Sequence, residues 1–73
     1  MDLEYTEYAL GRMRQRDILD EEVRVALASP QSRHKLRKDG RYEVTARANA
    51  KLLLVVYKRE GQLQTVINAM WET

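Results

Sequence analysis

The chain of 73 residues contains no cysteine, one proline and one histidine. Without cysteine there is no disulfide framework and no thiolate metal site. A single histidine cannot build a structural zinc site alone. Long apolar runs are also missing. The longest, Leu52 to Tyr57, falls far short of the ~20 residues that span a bilayer. The opening Met1-Asp2-Leu3-Glu4 is acidic and has no apolar stretch, so no signal peptide is expected. No glycine-rich phosphate loop, metal-ligand cluster or nucleophile elbow occurs. These absences lead us to expect a cytoplasmic protein, outside the membrane, that uses no metal and no cofactor. A chain this short forms one domain, 1–73, and buries only ~60% of the surface exposed when unfolded. Doubly wound nucleotide-binding folds and barrel enzymes are excluded on size. Hydrophobic residues at 44% and charged residues at 33% suit a folded chain and are too apolar for a disordered one.

The charge is distributed unevenly. The net charge is +2, yet residues 1–28 carry seven acids against four arginines, whereas residues 29–60 carry nine Lys or Arg against three acids. A split of this kind predicts a basic surface on one part of the fold. Such a surface attracts phosphate backbones through counterion release, or it is a solvated charged face.

Apolar spacing then orders the chain. From Glu4 to Arg16, Tyr5, Ala9 and Met13 recur every four residues and Leu10 adds to the stripe, which predicts a helix. Gly11 inside it costs ~1 kcal/mol against Ala, and close packing is the expected reason. Asp17 is expected to end this helix in the left-handed conformation. A second helix is predicted from Asp20 to Ala28, with Asp20, Glu21 and Glu22 in the first turn where the helix dipole favours acids. Pro30 stops it. The pattern then becomes alternating. Residues 33–38 alternate weakly, and Asp39-Gly40 marks a hairpin. Tyr42, Val44, Ala46 and Ala48 face one way, against Glu43, Thr45 and Arg47. Asn49-Ala50 turns the chain again. Lys51 to Arg59 is apolar on both faces, as a central strand is. After Glu60-Gly61, the run Leu63, Thr65, Ile67, Ala69 and Trp71 forms one side of a last strand. The expected fold is α+β, with two N-terminal helices packed on a four-stranded antiparallel meander.

Several residues also match a known group. Tyr5-Thr6 opens the first helix, Ala9 and Arg12-Met13 run along it and Arg16 closes it; Ile18 and Glu21-Glu22-Val23 lead the second. Gly40-Arg41-Tyr42 enters a strand, and Leu52-Leu53-Leu54-Val55-Val56 precedes an acidic-glycine turn. In these features the chain resembles a short bacterial domain-of-unknown-function family within the RelE/ParE toxin superfamily, near the BrnT toxins. The resemblance covers nearly the whole chain. It implies a RelE/ParE-like fold, a toxin neutralised by an antitoxin, and either cleavage of messenger RNA, often on the ribosome, or inhibition of DNA gyrase. Tyr8 stands where that family usually carries His, and Asp17 where it usually carries Gly. Tyr hydrogen-bonds but does not titrate near neutrality as His does.

Metal-free RNA cleavage needs a 2′-hydroxyl deprotonated, a phosphate stabilised and a leaving oxygen protonated. His34 is the single side chain with an ordinary pKa near neutrality, Arg47 is a mid-strand cation, and Tyr57 ends the central strand. These three are the candidate catalytic residues. Arg37 and Arg41 flank the Asp39-Gly40 turn and are near each other in any register; with Arg33 and Lys35 they are the candidate phosphate contacts. Two functions follow as expectations: a metal-independent endoribonuclease toxin acting on mRNA, or a non-catalytic nucleic-acid- or protein-binding module that keeps the fold. RNA and an antitoxin protein are the expected partners. A homodimer is the further expectation, since two helices can cover only one face of the apolar central strand.

Overall fold

The computed structural model describes residues 2–72. Strand β1 (Asp2–Tyr5) leads into helix α1 (Glu7–Gln15) and helix α2 (Asp20–Leu27). A single 3-10 turn (Gln31–Arg33) then enters β2 (His34–Leu36), β3 (Tyr42–Ala48), β4 (Lys51–Glu60) and β5 (Leu63–Trp71). The class is α+β, and β2 to β5 form the expected antiparallel meander. The sheet has a fifth strand, however. Its order is β1-β5-β4-β3-β2, with β1 running parallel to β5. The four-stranded, wholly antiparallel expectation is therefore corrected to a five-stranded mixed sheet.

The spacing of Tyr5 four residues before Ala9 predicts residues 4 and 5 in the first helix, whereas they lie in β1. The same residues also alternate: Leu3 and Tyr5 pack against the core, while Asp2 and Glu4 are exposed. The partner of Tyr5 is Val66, sixty-one positions away, so no local signal marks the pairing. Asp2 and Glu4 place charge on an edge strand, which discourages further strand addition there.

Thr6 then caps α1: its Oγ1 accepts the Ala9 N–H at 3.0 Å. At the other end Asp17 has φ of 54°. The Ile18 N–H bonds to the Met13 carbonyl at 2.9 Å and the Asp17 N–H to Arg14 at 3.4 Å, the pairing of a Schellman motif. Glu22 reaches back to accept the Leu19 N–H at 2.9 Å at the start of α2. Asn49 and Ala50 both have positive φ, the geometry of a tight hairpin turn. At the β2–β3 turn the Gly40 N–H bonds to Arg37 O at 3.1 Å, and Gly40 takes a φ of 86°. Asp39 Oδ1 supports it by accepting the Arg41 N–H at 3.0 Å.

Both helices cover one face of the sheet. Ala9 and Met13 of α1 and Val23, Ala26 and Leu27 of α2 bury against Val44, Ala46, Leu53, Val55, Tyr57, Val66 and Ala69. Leu53, Val55 and Tyr57 are thus the inward side of β4, and Leu52, Leu54 and Val56 lie on the open side. Strand β5 departs from simple alternation. Val56 pairs with Asn68 but Tyr57 pairs with Val66, so Ile67 is the extra residue of a β-bulge. Beyond it the faces exchange. Ala69 and Trp71 join the core side, while Ile67, Asn68 and Met70 line the open side. The expected single run from Leu63 to Trp71 on one side is corrected by that one residue.

Tyr5 ties β1 to α2, because its hydroxyl donates to Asp20, which also holds Arg24 at 2.7 Å. Asp17 shares with Asn49 and Ala50 a positive φ: an L-residue in the left-handed region is disfavoured, less so for Asp than for most. Asp17→Gly is expected to raise stability by up to ~1 kcal/mol. Thermal unfolding followed by circular dichroism checks this; a fall in the midpoint would mean that the Asp17 side chain contributes more than its backbone costs.

Candidate functional site

The open face of the sheet holds a shallow groove of about 800 Å³. Its floor is apolar, made by Leu54 and Val56 of β4 and Ile67 and Met70 of β5, with Asn68 set among them. The Asn68 Oδ1 is occupied by the Arg16 guanidinium at 3.3 Å and the Ala69 N–H at 2.9 Å. One wall is the β2–β3 turn, carrying Arg37 and Arg41, together with Glu43 of β3. The other wall is the start of α1, carrying Thr6 and Tyr8. Because β1 stops at Tyr5, α1 begins at the edge of β5. The Thr6 N–H bonds to Val66 O at 3.1 Å, which holds Tyr8 beside the open face.

Arg37 and Arg41 are brought together as expected. The Arg37 N–H donates to Arg41 O at 2.7 Å, so the turn itself sets their spacing. Among the described residues the ion pair found joins Arg24 to Asp20 on the helical side. Among the described residues neither guanidinium group of the groove forms an ion pair, although Glu43 lines the same groove. Lys35 pairs with Glu43 across β2 and β3, which puts it on the same face at the margin. Arg33 lies in the 3-10 turn before β2 and is exposed, outside the groove lining.

The three candidate catalytic residues are not gathered there. His34 pairs with Val44 and so faces the helices. Its Nδ1 lies 2.6 Å from the Tyr57 hydroxyl and its Nε2 lies 3.0 Å from Ser29 O. A carbonyl only accepts, so Nε2 carries the proton in this arrangement and Tyr57 donates to Nδ1. Tyr57 is 1% exposed and stacks on Tyr42, with ring centroids 5.4 Å apart. His34 and Tyr57 therefore form a polar clasp between β2, β4 and the end of α2. Arg47 lies near the far end of β3 from Arg41, about 20 Å away along an extended chain. It lines a separate hollow with Leu19, Glu22, Val25 and Asn49.

The groove also holds residues outside the expected catalytic and phosphate-contact sets, among them the Tyr8 already noted in the sequence. Tyr8 is 54% exposed, and the Arg12 guanidinium lies 5.0 Å from its ring centroid, a cation–π contact. The i, i+4 spacing of Tyr8 and Arg12 was the available signal. Glu43 reads in sequence as one polar position of an alternating strand; only the sheet brings it into one groove with the two arginines and the apolar floor. Among the described residues no cluster of His, Asp and Glu suits a metal ion, and no helix is long and apolar enough to cross a membrane. No family model, curated protein or solved structure matches the chain.

Burial raises the Tyr57 phenol above its ordinary value of 10.0. Tyr5 is raised too, first by burial and then by its hydrogen bond to Asp20, while Asp20 is lowered by its bonds to Tyr5 and Arg24. For the two phenols the folded state holds the proton more tightly. Their contribution to stability is complete below pH 10 and declines as pH rises through the folded values. For Asp20 the contribution is present above the ordinary carboxylate range and is lost as pH falls through its depressed value. Absorbance titration at alkaline pH should show a late phenolate component that shrinks in Tyr5→Phe and in Tyr57→Phe. Tyr57→Phe should also cost about 1 kcal/mol in urea unfolding, because His34 Nδ1 loses its donor. An unchanged titration in both variants would contradict the burial assigned to these rings.

Proposed function

We propose that this protein acts on RNA through the open face of its sheet, as the toxin component of a RelE/ParE-like toxin–antitoxin pair and a metal-independent endoribonuclease on mRNA. The observation that carries the reading is the groove between Arg37 and Arg41 on one side and Tyr8 on the other, with neither arginine in an ion pair among the described residues. Paired guanidinium groups on a turn suit a phosphodiester, because they bind it in a forked geometry and stay charged at any working pH. The resemblance noted in the sequence supports the toxin class.

RNA cleavage of this type joins the 2′-oxygen to the adjacent phosphorus and breaks the bond to the 5′-oxygen. The 2′-hydroxyl gives up a proton and the leaving oxygen gains one. In the groove, Arg37 and Arg41 would stabilise the charge gathered on phosphorus. Glu43 and Tyr8 are the lining side chains able to exchange a proton, with Glu43 suited to accept it. An antitoxin would cover the same face, shielding the apolar floor.

One observation favours the non-catalytic alternative. The imidazole of His34, with both nitrogens engaged, lies on the opposite side of the sheet. Under that reading the groove holds RNA and leaves it intact.

Two variants separate the readings. Arg37→Ala/Arg41→Ala should bind a labelled RNA at least ~10-fold more weakly, and its slope of log affinity against log salt should fall by about 1.4 for two lost phosphate contacts on a single strand. Glu43→Gln should still bind, with cleavage slowed by ~100-fold or more. Wild-type protein that binds RNA at ~50 mM salt without cutting it would leave the binding module. Absence of binding at that salt would end both readings.

A further inference from the structure

The geometry points to a base-stacking subsite on α1 that selects single-stranded RNA, formed by Tyr8, Gly11 and Arg12. It rests on the RNA-binding reading of the groove and extends it over the groove wall. Tyr8 lines both the groove and a second hollow on the helix, of about 300 Å³, bounded by Glu7, Gly11, Arg12 and Gln15. Its ring is therefore the ridge between two depressions. Arg12 lies over that ring, and its Nη1 is steadied by Gln15 Oε1 at 3.1 Å. The result is a stacked cation and aromatic surface held in place before any ligand arrives.

Gly11 is the second observation. Glycine in mid-helix is costly, and close packing within the chain was the expected reason. The structure removes that reason: a Cβ at Gly11 would meet nothing within 4 Å. The bare backbone opens outward, as the floor of the hollow. A side chain there would fill the space that a flat ring needs to lie beside Tyr8 and Arg12. A nucleobase fits this chemistry, since it stacks on aromatic and guanidinium planes, and the attached phosphates suit Arg12 on one side and Arg37 and Arg41 across the groove. Bases of a duplex are already stacked and cannot enter, so the subsite favours a single strand.

The test uses the full chain with labelled oligo(U) and an RNA duplex of the same length. Wild type should bind oligo(U) more tightly than the duplex. Tyr8→Ala should weaken oligo(U) binding by about tenfold, the loss of one stacked base, and Tyr8→Phe should restore most of it. Gly11→Gln should raise the melting temperature by ~5 °C through better helix propensity and yet weaken oligo(U) binding. Arg14→Ala removes an equal charge from an exposed position outside the hollow and should leave affinity unchanged. If Arg37→Ala/Arg41→Ala weakens binding while Tyr8→Ala and Gly11→Gln do not, the subsite is overturned and the groove reading stands. Equal affinity for the duplex overturns the single-strand assignment. No binding to either RNA overturns the subsite together with the groove reading.

Discussion

Strand β4 has apolar side chains on both faces and helices on only one. Among the described residues no further layer covers the other face. Leu53, Val55 and Tyr57 take the helical side and complete the core with α1 and α2. Leu54 and Val56 are left as the floor of the groove. Val56 is nevertheless 4% exposed, because its neighbours on β3 and β5 close over it. The open face is thus a packed surface with an apolar centre and a charged margin. An area of this composition is a natural place for a partner or ligand.

The bulge at Ile67 and the parallel strand β1 shape this face together. The extra residue lets Val66 and Ala69 both reach the core and turns Asn68 and Met70 to the open side. Strand β1 pairs with β5 only as far as Val66. Past that point the edge of β5 is met by α1, through Thr6, the Arg16 guanidinium on Ala69 O at 2.9 Å, and the Trp71 indole on Arg16 O at 2.7 Å. The helix is clamped at both ends. The backbone that carries Tyr8 at the groove rim is thereby held in place, which matters for a side chain proposed as a stacking surface.

His34 and Tyr57 show how a single chemistry-bearing residue type can be absorbed by the fold. A strand of three residues contributes little pairing, and β2 is that short. Anchoring it through an imidazole bonded to both a buried phenol and a carbonyl satisfies polar groups that would otherwise be costly to bury. No buried side-chain polar atom among the described residues lacks a partner. Arg37, Arg41, Glu43 and Tyr8 remain on the other face, around the groove.

Local signals determined much of this protein from sequence alone. The two helices, the Asp17 reversal, the Asn49-Ala50 turn and the three long strands follow from spacing and turn chemistry within a few residues of each site. So does the closeness of Arg37 and Arg41, since one turn holds both. What the tertiary structure decided depends on pairings far apart in the chain. The parallel partner of β1 lies sixty-one residues away, and the bulge is a property of two strands in register, not of Ile67 itself. Which side of the sheet each residue serves follows from those pairings. Alternation identifies two faces of a strand, but only packing says which one the helices cover. For that reason His34 and Tyr57 went inside, Arg47 went to a separate hollow, and Tyr8 and Glu43 came to face the arginines.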